Sequence, residues 1–482
     1  MSGKRICVIG AGASGLTAIK QCVDENFQVI CYEKTNNCGG LWRYREENCE
    51  NVGSVFKSTI TNSSKELSAF SDFPPPLEYP HIMHNTQVCA YFEKYAETFN
   101  LEERIKYNHE VLNVTFNDDY EITGKWKVTV KNLRDNEQNE QIFDGVMVCV
   151  GHHCKPNIPN FEGMNQFKGQ LMHTHCYKKP NAFEDKVVVV VGIGNSGADA
   201  AVELSSVCSQ VYLSTRSGSW ILPLVGSNGV PLDLIFMNKA MTNFLKFIPQ
   251  NLLAWGLEKV ANSYFDHELY GLKPKHRILN QHMTVNDRIQ STILSGRVLV
   301  RKNIERFTEN GVIFEGNTKE TKCDVVLFAT GYEIIFPFLD SSIIEVYKNK
   351  VELFKYVFSP KLKHAHTLAV IGLLQPSGAV FPASELQSRW FVQLMTGKAK
   401  LPTKEEMQQS IVEEADKIKK QFYESARNTI EVEVMGYNDE IASYIGAKPN
   451  LWKLALSDPK LWRALFFGPF LPYKFRLQGP HT

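Results

Sequence analysis

Lys4-Arg5-Ile6-Cys7-Val8-Ile9 runs directly into Gly10-Ala11-Gly12-Ala13-Ser14-Gly15, and this junction decides the fold. The apolar run reads as a short buried strand, the glycines as a tight turn, and the stretch to Glu25 as a helix. A second strand, Phe27 to Tyr32, ends at Glu33. Strand, G-x-G-x-x-G turn, helix and strand in that order form a dinucleotide-binding unit. Gly10 makes the turn, Gly12 lets backbone approach a pyrophosphate, and Gly15 lets helix pack on strand. The helix amino terminus offers N–H groups and a partial positive charge to the phosphates. Glu33 stands 23 positions past Gly10, where an acid accepts hydrogen bonds from a ribose diol.

The unit recurs. Lys186 to Val191 is another apolar strand, followed by Gly192-Ile193-Gly194-Asn195-Ser196-Gly197, an expected helix from about Ala198, and a strand from Gln210 to Leu213. The same 23-position count from Gly192 reaches Thr215, not an acid, and Arg216 follows. A carboxylate there would repel a 2′-phosphate, whereas a hydroxyl and a guanidinium favour it through charge-assisted hydrogen bonds. The first loop therefore suits a nucleotide with a free ribose, such as FAD, and the second suits NADP(H). Asp144–Gly151 and Asp324–Gly331 share one plan, an acid, a buried strand, then glycine. One precedes the second glycine loop and the other follows that whole unit. The expected fold is thus α/β, two interleaved Rossmann-like domains with the NADP domain inserted into the FAD domain. The expected division is 1–155 and 331–440 for the FAD domain, 156–330 for the NADP domain with a partly helical insertion at about 222–290, and a carboxyl-terminal segment, 441–482.

Composition limits the alternatives. With 482 residues, ~150 per domain suggests two to four domains. Fifty-three Lys and Arg against 52 Asp and Glu leave a net charge of +1, which excludes a whole-chain electrostatic claim on nucleic acid. The 11 cysteines are irregularly spaced and read as reduced thiols. Arg5 to Ile9 is too short for the apolar core of a signal peptide. No window approaches the ~18 apolar residues of a spanning helix, so contact with a membrane surface stays open. Cys149 and Cys154 imitate the spacing of a flavin disulfide reductase, yet they bridge a strand end and a crossover rather than following the first dinucleotide unit. His152, His153, Cys154, His173, His175 and Cys176 offer zinc-ligand types without the short defined spacings of a structural site, and no metal is expected.

Several stretches together resemble the flavin-containing monooxygenase family, in its animal, microsomal-type branch. They are Gly10–Gly15, Gly39-Gly40-Leu41-Trp42, Thr61-Asn62-Ser63-Ser64-Lys65, Gly192–Gly197 and Ala329-Thr330-Gly331-Tyr332. Between the two loops, Phe167–Tyr177 matches that family's F-x-G-x-x-x-H-x-x-x-[YF] sequence, and the likeness extends to about Gly479. The resemblance implies an NADPH- and O2-dependent enzyme that forms a C4a-hydroperoxyflavin and transfers one oxygen to a soft nitrogen or sulfur of a small molecule, as in xenobiotic metabolism. It implies FAD contacts from Gly10, Ala11, Gly12, Ala13, Ser14, Glu33, Gly40, Leu41, Trp42, Asn62, Ser63 and Gln375. It implies NADP contacts from Thr61, Asn62, Asn195, Ser196, Gly197, Ala198, Asp199, Thr215 and Arg216, with Asn195 facing the flavin site. Asn62 is the expected catalytic residue, its amide steadying activated oxygen and the retained coenzyme. Two other readings remain, Baeyer–Villiger oxygenation of ketones with the same cofactors and a non-catalytic NADPH sensor. A homo-oligomer is left open.

Leu234, Met237, Met241, Phe244, Leu245 and Ile248 recur at helical intervals, with Pro249 expected to end the helix. That stripe faces either a core or a membrane interface. From Leu451 to Phe475, aromatic clusters alternate with Lys453, Lys460, Arg463 and Lys474, while Pro459, Pro469 and Pro472 forbid one continuous spanning helix. Microsomal relatives continue into a hydrophobic tail, whereas this sequence stops at Thr482. The resemblance implies the cytosolic face of the endoplasmic reticulum membrane, or the cytosol if such a tail is essential.

Overall fold

A computed structural model describes residues 3–422 and 428–481. Its frame is two five-stranded parallel sheets. Ten strands compose them: β1 (Arg5–Ile9), β2 (Gln28–Glu33), β3 (Ile105–Tyr107), β4 (Gly145–Val148), β5 (Gln170–His173), β6 (Val187–Val191), β7 (Gln210–Ser214), β8 (Val298–Arg301), β9 (Val325–Phe328) and β10 (Leu368–Val370). The first sheet runs β10-β4-β1-β2-β3 and the second β8-β7-β6-β9-β5. Every pairing within both is parallel. Parallel strands are covered on both faces, so they read as unbroken apolar runs, and the five consecutive valines of β6 are the extreme case.

The first sheet takes strands from both ends of the chain, while the second is built wholly from residues between β4 and β10. This is the interleaved plan expected from the two repeated Asp-to-Gly segments. The outgoing and returning chains meet as a short antiparallel pair, Tyr332 opposite Pro156 and Glu333 opposite Lys155. A three-stranded antiparallel meander, His109–Phe116, Trp126–Asn132 and Gln138–Phe143, lies between β3 and β4.

Helix α1 (Ala13–Asp24) follows β1, and α2 (Asn195–Leu204) follows β6. The second begins three residues earlier than expected at Ala198, directly after Gly194, just as α1 starts directly after Gly12. Helix α3 (Phe381–Met395), buried along its whole length, packs on α1 and holds the returning segment against the first sheet.

The insertion departs from the single helix expected over the Leu234–Ile248 stripe. Two short helices, Leu232–Phe236 and Lys239–Leu245, are separated at Asn238, whose side chain caps the second by accepting from Met241 N–H at 2.8 Å. Pro249 does more than close that stripe, because it immediately precedes the helix Gln250–Tyr264. Its fixed φ and missing N–H suit a helix start, where that donor would be unpaired anyway. The carboxyl-terminal segment divides similarly. Helices Leu451–Ser457 and Pro459–Phe467 lie on the surface, the latter against Lys239–Leu245. The stretch beyond turns back into the core, with Phe475 fully buried. There Arg476 pairs with Glu385 and with Asp72, each at 2.8 Å, and Arg389 donates to the carbonyls of Phe475 and Pro480.

Candidate functional site

The two glycine loops are built alike down to their contacts. Gly10 has φ +96°, and a Cβ there would stand 2.9 Å from the Cys149 carbonyl oxygen at the end of β4. Gly192 has φ +106°, and its Cβ would meet the Ala329 carbonyl oxygen at 2.5 Å. In each loop the third glycine lies on the carbonyl of the first. A Cβ on Gly15 would be 1.8 Å from Gly10 O, and one on Gly197 would be 2.1 Å from Gly192 O. The middle glycines are different. Gly194 faces open space, and Gly12 meets only another glycine, Gly40. Backbone N–H groups at these two points are therefore bare toward the cavity, a cradle that any side chain would fill.

Both loops open into one cavity of about 1600 Å³. A single small ligand usually occupies ~300–1,000 Å³, so this space fits two large cofactors meeting rather than one. Gly10, Gly12, Ala13, Ser14, Glu33, Gly40, Leu41, Trp42, Thr61, Asn62, Ser63 and Gln375 line it from the first domain, with Asn195, Ser196, Asp199, Thr215 and Arg216 from the second. Ala11, Gly197 and Ala198 stand behind that lining. Ala198 is wholly buried, and its N–H is spent on Gly194 O within the helix. Ala11 directs its N–H at Glu33.

Glu33 is itself part of the loop's scaffold. Its Oε2 accepts from Ala11 N–H at 2.7 Å, and its Oε1 accepts from the N–H and hydroxyl of Thr35 at 2.9 and 2.6 Å. A carboxylate offers about four acceptor positions, so one on Oε2 is left for a ribose hydroxyl. Arg45 closes this corner, donating to Thr35 Oγ1 at 3.0 Å and to the Gly40 carbonyl at 3.1 Å. Trp42 packs edge-on to Phe381 at the start of α3.

On the second domain, Thr215 is held in place from both sides. Its N–H donates to Arg301 O at 3.0 Å, and its hydroxyl accepts from Gly218 N–H at 2.9 Å. Arg216 next to it is exposed to the cavity. Asn195 lines the cavity with its amide held in place, because its Oδ1 accepts from Val285 N–H at 2.9 Å and ties α2 to the insertion. Asp199 is exposed to the cavity, whose walls desolvate its carboxyl and lift it to about 6, against the hydrogen bond from Asn286 at 2.7 Å. An acid so raised is easier to neutralise beside a pyrophosphate than an ordinary aspartate.

Sequence reasoning missed other lining residues: His153, Lys275, Asn303 and Tyr332. Asn303 reaches the site because the end of β8 lies against Thr215, a pairing no local pattern announces. Lys275 lies in Leu272-Lys273-Pro274-Lys275-His276, within the insertion, where no local pattern attaches a role to it.

The family model described as flavin-binding monooxygenase-like matches residues 3–482. Flavin-containing monooxygenase 5 of Cavia porcellus is 46% identical over 482 residues, covering 100% of this chain and 90% of that protein. Dimethylaniline monooxygenase (N-oxide-forming) 2 of Macaca mulatta is 41% identical over 479 residues, covering 99% and 89%. Among solved structures, S-allyl-L-cysteine S-oxygenase from Allium sativum superposes with a TM-score of 0.70 at 23% identity, covering 96% of each chain. An open structure of cyclohexanone monooxygenase gives 0.64 at 16% identity, covering 92% and 98%. At those identities the structural likeness concerns the fold.

Proposed function

The chain belongs to the flavin-containing monooxygenases, and from that premise we propose which residues carry the reaction, which atoms it oxygenates and where it works. It is an NADPH- and oxygen-dependent flavoprotein monooxygenase, with FAD and NADP(H) as cofactors and a small molecule as substrate. When bound, FAD accepts a hydride from NADPH and activates dioxygen, chemistry that no side chain supplies. The protein contributes binding, orientation and exclusion of water.

The observation that carries the assignment of roles is the pair of matching loops facing one cavity, with the exposed Asn62 side chain presented to it from a run whose other members are buried. Gly10 to Ser14 hold the FAD pyrophosphate, Glu33 its ribose, and Gly40, Leu41, Trp42, Ser63 and Gln375 the remainder. Ser196 at the start of α2 holds the NADP pyrophosphate, with Asp199 beside it, and Thr215 with Arg216 takes the 2′-phosphate. Asn62 donates a hydrogen bond without being an acid, so it steadies activated oxygen without protonating it away. Such a site suits a substrate that is itself the nucleophile, a tertiary amine or a sulfide. The domain division that fits this reading remains 1–155, 156–330, 331–440 and 441–482. The holoenzyme supplied with NADPH, air and, in parallel, a dialkylaniline, an aryl sulfide and a cyclic ketone should form N-oxide and sulfoxide. Ester or lactone as the sole product would overturn the substrate class.

Coenzyme choice follows from Thr215 and Arg216. One charge-assisted hydrogen bond contributes about 1.5–3 kcal/mol, so Arg216→Ala should weaken NADPH relative to NADH by roughly ten- to a hundredfold. FAD content should not change, because Arg216 belongs to the second domain. Steady-state kinetics with both coenzymes check this, and a wild type indifferent to the 2′-phosphate would refute the assignment of the second loop.

We assign the protein to the cytosolic face of the endoplasmic reticulum membrane, held at the surface. Among the described residues no helix is long and apolar enough to cross a membrane. The insertion and the adjoining carboxyl-terminal helices nonetheless present large apolar side chains to solvent, with Phe247 86%, Trp452 87% and Leu456 90% exposed. Lys453, Lys460 and Arg463 flank them, the mixture that rests in a headgroup layer. The protein should sediment with anionic liposomes, salt weakening only part of the binding. The double variant Phe247→Glu, Trp452→Glu should bind at least about tenfold more weakly, since each buried aromatic contributes about 1.5–3 kcal/mol. Recovery of the wild type in the supernatant at low salt would reject surface attachment.

A further inference from the structure

Asn62 sits in a frame that is otherwise closed. Its neighbours in the run Thr61–Lys65 are 3%, 9%, 0% and 7% exposed, for Thr61, Ser63, Ser64 and Lys65 in turn, and each is tied down. Thr61 exchanges two hydrogen bonds with Met83, its N–H donating to Met83 O at 2.8 Å and its hydroxyl accepting from Met83 N–H at 3.0 Å. The hydroxyls of Ser63 and Ser68 meet at 2.9 Å. Lys65 donates its N–H to His81 O at 2.7 Å. Its ammonium is spent on three carbonyls, those of Pro76 at 3.0 Å, Leu77 at 2.9 Å and Tyr79.

These partners all lie between residues 68 and 83, within the first domain. The tie at Ser64 does not. Ser64 N–H donates to Asp233 Oδ2 at 2.6 Å, a contact spanning 169 residues from the short Leu232–Phe236 helix of the insertion. Burial pushes the Asp233 carboxyl up, and the Ser64 N–H pulls it back. A desolvated carboxylate is costly to keep unless its hydrogen bond does something an apolar residue could not.

We propose that Asp233 is a positioning residue for oxygen transfer: by holding the Ser64 N–H, it fixes the direction in which the adjacent loop presents the Asn62 amide to the cavity. The inference rests on the role proposed above for Asn62. It also gives the insertion a second task. The short helix that carries Asp233 reaches the Asn62 loop through this hydrogen bond, so removing it loosens Asn62 while both glycine loops stay intact.

The test compares wild type, Asp233→Ala and Asp233→Asn as holoenzymes, with two readouts. The first is amide hydrogen exchange of residues 61–66, and the second is hydrogen peroxide released per NADPH oxidised. Asp233→Ala should speed exchange at 61–66 and raise peroxide per NADPH, each by about tenfold, the effect of losing one charged hydrogen bond. FAD content and anaerobic reduction by NADPH should stay at wild-type levels. Asp233→Asn keeps a carbonyl acceptor and should return both readouts to near wild type. If Asp233→Ala does not purify, Asp233→Glu, which displaces the acceptor by one methylene, is held to the same expectation. A melting temperature that falls while exchange at 61–66 and coupling stay unchanged makes Asp233 a purely structural tie and overturns the proposal. An Asn variant as uncoupled as the Ala variant overturns it too. The parent reading fails separately: if Asn62→Leu itself leaves coupling intact, the role of Asn62 is wrong, whereas if Asn62→Leu uncouples and Asp233→Ala does not, only the positioning role is.

Discussion

Asn62→Leu should retain FAD and still oxidise NADPH, yet lose most oxygen transfer, with the missing electrons recovered as hydrogen peroxide. The side chain is exposed to the cavity while the residues around it are buried and bonded elsewhere, so the exchange removes an amide without removing a support. Leucine has similar size but no donor. A polar group of the bound cofactors opposite it then goes unpaired at a cost of about 1–3 kcal/mol, roughly a five- to hundredfold loss in the step that needs it. In the proposed assignment, reduction by NADPH precedes that step and depends on the second loop, which belongs to the other sheet. The measurement is product formed against NADPH consumed for both proteins under the same oxygen. Wild-type coupling in the variant would reduce Asn62 to a loop residue.

The second large effect separates the two loops. Gly15→Ala should yield protein that purifies with little flavin, and Gly197→Ala should yield protein that is fully yellow but nearly unresponsive to NADPH. The reason is the same in both places: a methyl group would stand 1.8 Å from Gly10 O or 2.1 Å from Gly192 O, so the helix start must move away from the strand. Displacing a cradle by about 1 Å costs on the order of a hundredfold in what it positions. Each sheet carries its own loop, so each shift stays local. Flavin content by absorbance and the rate of anaerobic reduction by NADPH decide the matter, with dithionite as the control that the flavin of Gly197→Ala is still reducible. If Gly197→Ala lost FAD, or Gly15→Ala lost only NADPH, the cofactors would have to be exchanged between the loops.

What could be read from the sequence was what repeats locally. The strand–glycine–helix junctions at Ile9–Gly10 and Val191–Gly192 carry a fixed spacing because each glycine meets its own neighbourhood, and the structure reproduces that spacing contact for contact. The interleaving was legible because Asp144–Gly151 and Asp324–Gly331 have one plan, and these segments became β4 and β9, each beside the strand that bears a glycine loop. The insertion was less legible. Its apolar stripe has helical period on both sides of Asn238, and a cap chosen by one side chain splits it. Least legible were contacts made across the fold, such as Ser64 with Asp233, Gly12 against Gly40, and Arg476 with Glu385 and Asp72. Nothing in the local composition of Leu232–Phe236 marks Asp233 as different from any first-turn acid on a helix, where that residue type is favoured by the helix dipole alone.

The central claim is that one cavity joins NADPH oxidation to the insertion of a single oxygen atom into a soft nucleophile. Its most direct test is turnover of the holoenzyme with NADPH and an aryl sulfide under ¹⁸O-labelled dioxygen in unlabelled water, with product mass and NADPH consumption followed together. Sulfoxide carrying one labelled oxygen is expected, formed in equal amount to the NADPH oxidised. Unlabelled sulfoxide, or NADPH oxidation that ends only in hydrogen peroxide, would contradict it.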